Sequence, residues 1–203
     1  MLADWSAECA PDDPILVVPW ADPDNPQCRF VDLREDPYEL ETLPEAERFP
    51  SLRNALRSLN APRSPVFTAK CDAGPITDPN DLARIHAELG VGIELDPDLA
   101  RAAHSSYIDL LWRDRSLFAS RHQHTHLADR LTRRAVPLPL PFALLECTIR
   151  PALLDLTTPQ EGFALTLYVH ALGTDPAHAE GNWSTALDEV TLLLRSRDLV
   201  PTT

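Results

Sequence analysis

Polar and apolar residues alternate along two runs in the second half of the chain, residues 142–150 and 162–172. Period-two alternation is typical of β-strands that bury one face. The segment between them is rich in proline, threonine and aspartate, which favours a turn and an antiparallel pair. The apolar sides hold Ala143, Leu145, Cys147, Ile149, Phe163, Leu165, Leu167, Val169 and Ala171, and the opposite sides hold Leu144, Glu146, Thr148, Arg150, Ala164, Thr166, Tyr168 and His170.

An amphipathic helix is predicted directly after the second run. Asp175 followed by Pro176 provides a capping residue and a proline at the first helical position. From Trp183 onward, apolar residues recur at spacings of three and four, which places them on one stripe of a helix. We expect this stripe to cover the apolar face of the sheet.

Further elements are predicted along the rest of the chain. Short strands are expected at residues 15–18 and 66–72, and helices at about 52–59, 82–89 and 120–136. Residues 1–14 are acidic and contain two prolines, which favours an irregular lead-in, and residues 27–33 can form a hairpin with 15–18. Residues 105–112 fit either a helix or a strand, and we favour the strand.

These elements predict an α+β fold. We expect an antiparallel sheet with helices packed mainly on one face, ferredoxin-like (split βαβ) in the second half of the chain. A single domain spans residues 1–203, with two packed ββα-containing halves, at about 1–95 and 96–203, as the alternative.

The composition is that of an ordinary globular protein, with 44% hydrophobic and 24% charged residues. No apolar stretch is long enough to span a membrane, and residues 1–10 lack the features of a signal peptide. We therefore expect a cytoplasmic protein that does not associate with membranes. The four cysteines show no CxxC spacing, which favours reduced, buried thiols. Arginine makes up 17 of the 18 basic residues, as is common in GC-rich bacterial genomes.

The net charge of -13 argues against binding to nucleic acid. Its distribution is uneven, because residues 1–47 hold 13 acidic residues and only two basic ones. Residues 113–134, in contrast, hold six arginines and two aspartates. Two solvated faces explain this pattern, and the alternative is a protein partner or a homodimer held by the charged segments.

A histidine cluster at residues 122–126 is a candidate metal site. On a helix, His122 and His126 lie four residues apart on one face, and Asp129 adds an oxygen ligand. Arg121 and Arg130 oppose a divalent cation there, so a solvated helix face with pH-sensitive imidazoles is the alternative.

The polar side of the predicted sheet is the other candidate site. A cation there can take an anionic ligand, and His170 or Glu146 can act as acid or base. The alternative is a solvated or internally packed face with cross-strand ion pairs. The candidate ligand-binding residues are Lys70, Asp72, Glu146, Arg150, Tyr168 and His170.

Two functions of different classes are compatible with these patterns. The first is a non-enzymatic binding or adaptor module that uses its acidic amino-terminal segment or polar sheet face. The second is a small enzyme, such as a metal-dependent hydrolase, with its site on the polar face or at the His122, His124 and His126 cluster. The sequence lacks GxGxxG, GxxxxGK[ST], GxSxG and HExxH motifs, so we expect no cofactor.

Overall fold

The computed structural model describes residues 1–25, 28–90 and 101–196. The described chain forms a mixed α/β fold with an open, mostly antiparallel sheet of six strands. The strands are β1 (Leu2–Ala7), β2 (Leu16–Val18), β3 (Val66–Pro75), β4 (Ala102–Trp112), β5 (Ala143–Leu154) and β6 (Gln160–Gly173). The helices are α1 (Pro44–Arg48), α2 (Pro50–Asn60), α3 (Pro79–Glu88), α4 (Arg115–Phe118), α5 (Arg121–Ala135) and α6 (Pro176–Leu194), and a 3₁₀ turn covers Pro37–Thr42.

The strand order is β1-β5-β6-β4-β3. The predicted pair of strands in the second half is confirmed, because β5 and β6 pair antiparallel with Leu145 opposite Val169. Both β1 and β2 pair in parallel with the outer edge of β5, with Leu2 opposite Leu144 and Leu16 opposite Ala152.

Helices α2, α5 and α6 cover one face of the sheet, which we call the core face. The indole of Trp183 on α6 donates a hydrogen bond to Ser106 on β4, with the two atoms 2.9 Å apart. On α2, the Asn60 side chain bonds both the hydroxyl and the backbone N–H of Thr68. The cap predicted for α6 is present, since Asp175 accepts from the backbone N–H of His178.

Helix α3 lies on the opposite face, which we call the polar face. Its Ile85 is fully buried in a small apolar cluster with Ala103 and Leu172. Because these two residues belong to the polar-face rows of β4 and β6, α3 covers one end of that face.

The ferredoxin-like part of the prediction is not confirmed. Strand β6 lies between β4 and β5, but no strand follows α6 within the described residues. The position beside β4 is taken instead by β3, which comes earlier in the chain.

Two segments differ from the sequence expectation. The expected lead-in contains β1, whose polar residues reflect its position at the edge of the sheet. Strand β2 pairs with β5 rather than forming a hairpin with residues 28–33, where an isolated bridge joins Ala21 to Arg29. The strand favoured for residues 105–112 is confirmed, because they belong to β4. The sequence also predicts a helix that begins at Asp96 and passes through Leu99, and these residues lie outside those that the structure describes.

A β-bulge at Ala69 changes the facing of β3. Thr68 pairs with Leu110 and Lys70 with the adjacent Asp109, so Ala69 is the extra residue. Its carbonyl accepts a hydrogen bond from the Trp20 indole at 2.8 Å. Simple alternation along β3 predicts that Thr68 and Lys70 are on the same face of the sheet, and this is wrong. Thr68 is on the core face with Asn60, whereas Lys70 is on the polar face.

Candidate functional site

The strand registers assemble the predicted site residues in adjacent rows on the polar face. One row runs across five strands through Asp4, Glu146, Tyr168, Tyr107 and Asp72. The next row runs through Ser6, Thr148, Thr166, Asp109 and Lys70. Arg150 and His170 lie two residues along the same strands and share this face. All six residues predicted as ligand-binding therefore lie on one face, and their binding role stays a prediction.

A cleft of about 230 Å³, the Lys70 cleft, opens in this face. Lys70 is exposed, and its ammonium lies 5.0 Å from the centre of the Trp20 ring. Within the part of the chain that the structure describes, no carboxylate forms a salt bridge with Lys70. The cleft is lined by Pro14, Ile15, Leu16, Lys70, Tyr107, Asp109, Arg150 and Tyr168.

Burial raises the pKa of two acidic groups in the Lys70 cleft. Burial raises the pKa of Asp109 above its ordinary value, although the Thr166 hydroxyl donates a hydrogen bond to its carboxylate at 2.6 Å. Burial also raises the pKa of Tyr107, and nearby carboxylates add to the effect. The charges of Arg150 and Lys70 act in the opposite direction on Asp109 and favour its ionised form.

Arg150 differs from Lys70 because its guanidinium is already paired. Its Nε donates to a carboxylate oxygen of Glu8 at 2.8 Å, and its Nη2 donates to the Tyr168 hydroxyl at 2.9 Å. Glu8 follows β1 directly, so the edge strand supplies the counter-charge. Lys70 is thus the cation in the cleft that has no carboxylate partner among the described residues.

A hydrogen-bonded array lies in the next row, towards α3. The Ser105 hydroxyl is 2.8 Å from Nδ1 of His170, and Nε2 of His170 is 2.9 Å from Oε2 of Glu146. Arg84 on α3 contacts both oxygens of Glu146, at 3.2 and 3.1 Å. The hydrogen bond to His170 and the Arg84 charge lower the pKa of Glu146, which therefore stays ionised at neutral pH.

The array borders a second cleft of about 310 Å³, which we call the Ser105 cleft. Ser105 is half-buried in its wall, whereas His170 is only 4% exposed. Tyr107 lines both clefts, so they adjoin along β4. The Ser105 cleft is lined by Asp72, Ala73, Gly74, Pro75, Ile76, Thr77, Asp78, Asp81, Ser105, Ser106 and Tyr107.

The predicted metal ligands lie on α5, which packs on the core face, opposite these clefts. Nε2 of His122 and Nε2 of His126 are 3.0 Å apart, and the Asp129 carboxylate is paired with Arg133 at 3.0 Å. His124 faces the core, beside Trp112 and Phe163. Among the residues the structure describes, no group of three or more His, Cys, Asp or Glu is arranged to hold a metal ion. A metal at His122, His126 and Asp129 stays a prediction.

A third cavity, of about 270 Å³, lies at the outer edge of β3 and includes Cys28 and Cys71 in its wall. Burial raises the pKa of the Cys71 thiol to about 12, so at neutral pH it is a weak nucleophile. The buried thiol of Cys147 also has a raised pKa. All four cysteines are free, and this cavity offers less chemistry than the polar face.

Several residues of the polar face were not predicted. Ser105, Tyr107 and Asp109 alternate on one side of β4, but that signal exists only if the segment is read as a strand. Arg84 was assigned to a predicted helix, but the sequence did not show which face of the sheet that helix covers. Glu8 was placed in an irregular segment, so its pairing with Arg150 had no basis in the sequence.

The comparisons with known proteins add no assignment. No protein-family model matches the chain, and no curated protein or solved structure matches it. Among the described residues, no helix is both long and apolar enough to cross a membrane. The predicted cytoplasmic location, protein partner or homodimer, and lack of nucleic-acid binding all stay predictions.

Proposed function

We propose that the protein is a binding module that holds a small carboxylate ligand in the Lys70 cleft. The observation that carries the proposal is the Lys70 ammonium, which lines the cleft without a carboxylate partner among the described residues. A cation of this kind binds an anion more readily than one already paired, such as Arg150.

The other walls of the cleft fit the same ligand. Asp109, when protonated, and Tyr107 each carry a hydroxyl proton and can donate a hydrogen bond to a carboxylate. On the side of β2, Ile15 and Leu16 offer apolar contact, and Ile15 is 59% exposed. The preferred ligand therefore combines one carboxylate with a short apolar chain.

The size of the cleft limits the ligand. Its volume of about 230 Å³ is below the range of about 300–1,000 Å³ in which drug-sized ligands bind. We expect straight-chain carboxylates of roughly four to eight carbons to fit best, with weak affinity because one side of the cleft is open.

The test is calorimetric titration of the full chain with butyrate, hexanoate and octanoate. Alcohols of the same chain lengths serve as uncharged ligand controls, and alkylamines as ligands of opposite charge. In Lys70→Gln, affinity for the carboxylates should fall by about tenfold or more, as expected for loss of a charge-assisted contact.

Arg63→Gln is the matched protein control, because Arg63 is an exposed cation in the turn before β3 and does not line the cleft. It should leave affinity unchanged. Equal binding of alcohols and carboxylates, or unchanged affinity in Lys70→Gln, would contradict the proposal.

A further inference from the structure

A serine, a histidine and a glutamate lie side by side on the polar face, and the serine lines the Ser105 cleft. The hydroxyl of Ser105 is 2.8 Å from the imidazole of His170, and the other imidazole nitrogen is 2.9 Å from Glu146. An imidazole between a hydroxyl and a carboxylate is the arrangement that activates nucleophilic serines on unrelated folds. It is recognised by geometry and not by sequence order.

We propose that Ser105 is a nucleophile that accepts acyl groups from small carboxylic esters, with His170 as its general base. The proposal does not depend on carboxylate binding at Lys70. It assigns the small-enzyme function to the polar face and gives the array a reaction class, acyl transfer to water.

The proton positions follow from the contacts. When Ser105 donates to Nδ1, the proton of the neutral imidazole is on Nε2. Nε2 lies 2.9 Å from the Glu146 carboxylate but makes no hydrogen bond among the described residues, so this contact is an ion pair that forms when the imidazole is protonated. This nitrogen assignment is the reverse of the common one, in which serine contacts Nε2, but the order of groups is the same. As His170 becomes an imidazolium, the Glu146 carboxylate stabilises the new charge.

The proposed reaction has two balanced steps. Ser105 Oγ bonds to the ester carbonyl carbon while its proton passes to His170 Nδ1, and this proton then leaves with the alcohol as the C–O ester bond breaks. Water next gives one proton to His170 and attacks the acyl carbon. The bond between the acyl carbon and Ser105 Oγ breaks, Ser105 regains the proton from His170, and the carboxylic acid departs.

Neighbouring groups support and limit this chemistry. Tyr107 lies two residues from Ser105 on the same face and lines the same cleft, so we expect its hydroxyl to donate to the developing oxyanion. Arg84 contacts both oxygens of Glu146 and acts as a positioning residue for it. The rim carries Asp72, Asp78 and Asp81, which disfavour anionic esters, so the substrate class is neutral or cationic esters.

The first experiment maps covalent labelling of the full chain by a fluorophosphonate, using mass spectrometry of the digested protein. We expect an adduct on Ser105 and none on Ser6. Ser6 is the matched serine, because it is on the polar face and its hydroxyl pairs, within the described part of the chain, with the Thr148 hydroxyl at 3.4 Å and with no histidine. An adduct on other residues alone, or equal labelling of both serines, would overturn the proposal.

The second experiment measures hydrolysis of p-nitrophenyl acetate. Ser105→Ala and His170→Gln should each lower the rate by about 100-fold or more, Glu146→Gln by about tenfold, and Ser6→Ala not at all. The pH profile of hydrolysis should change in His170→Gln, because the general base is removed. A purely structural role for His170 would not change the pH profile.

Folding is checked for every variant by circular dichroism and thermal unfolding. The wild-type labelling map needs no variant, so the proposal stays testable even if a substitution unfolds the chain. Folded wild-type protein that shows neither a Ser105 adduct nor hydrolysis would refute the inference, and so would an unchanged rate in Ser105→Ala.

Discussion

His104 on β4 and His170 on β6 have nearly the same exposure, 2% and 4%, but lie on opposite faces of the sheet. The ring centre of His104 lies 5.0 Å from that of Phe49 and 4.5 Å from that of Trp183. His170 instead contacts the Ser105 hydroxyl and the Glu146 carboxylate.

The surroundings, and not the degree of burial, separate the two histidines. Burial lowers the pKa of His104 to about 4, with the Arg48 charge as a second cause. Nε2 of His104 and Nε2 of His170 are both buried without a hydrogen-bond partner among the described residues, but Nε2 of His170 lies 2.9 Å from the Glu146 carboxylate. His104 is therefore a neutral packing residue at physiological pH, whereas His170 has partners that can take and return a proton.

The largest expected effect comes from truncating the two histidines. His104→Ala should lower the free energy of unfolding by about 3 kcal/mol, because it leaves a cavity among aromatic rings. His170→Ala should cost about 1 kcal/mol, because water from the adjoining cleft can enter and Arg84 still pairs with Glu146. Urea unfolding at pH 7 measures both. Equal losses would remove the contrast between the two faces.

A second effect, of similar or smaller size, is the pH dependence of stability. The pKa of His104 is about 4 in the fold and near 6.5 in the unfolded chain. As the pH falls below 6.5, the unfolded state takes up a proton first, so stability falls until about pH 4. The loss should reach at most about 3 kcal/mol, and the lowered pKa of His124 acts in the same direction.

His104→Leu should remove most of this loss between pH 6.5 and 4.5, whereas His122→Ala, a change at an exposed histidine of α5, should retain it. Unfolding in urea at several pH values provides the measurement. If the slope persists in His104→Leu, the assignment to His104 is wrong.

The smallest effect concerns Asp109 on the polar face. Its pKa is raised in the fold, so its carboxyl stabilises the fold fully only below the ordinary pKa, and this contribution is lost as the pH rises through the folded pKa. Asp109→Asn keeps an oxygen to accept from Thr166 and should raise stability by about 1 kcal/mol at pH 7. The gain should vanish near pH 3, and lower stability at pH 7 would contradict it.

The sequence predicted the elements in which polarity alternates clearly. Strands β5 and β6 and helix α6 were located because one side of each is apolar throughout. Strand β4 was ambiguous, since Leu110, Leu111 and Trp112 satisfy both periodicities. Strand β1 was missed because edge strands bury little on either side.

The candidate site was predicted only in part for related reasons. Glu146 and His170 were assigned to the same face because alternation within each strand decides it. Their contact with Ser105 depends on strand order, which alternation does not determine. The bulge at Ala69 could not be predicted, because Val66, Phe67 and Ala69 are all apolar and the pattern does not show which side of the strand each one faces.

The bulge at Ala69 also determines which residue of β3 can be deleted without turning its neighbours to the other face. Thr68 and Lys70 already pair with the neighbouring residues Leu110 and Asp109, so a chain lacking Ala69 would have an uninterrupted ladder with both residues facing as before. We expect the fold to tolerate that deletion, losing mainly the carbonyl that Trp20 contacts. Deleting Cys71 instead would turn Asp72 towards the helices. We therefore expect β3 to tolerate the loss of Ala69 but not of a residue that is paired in the ladder.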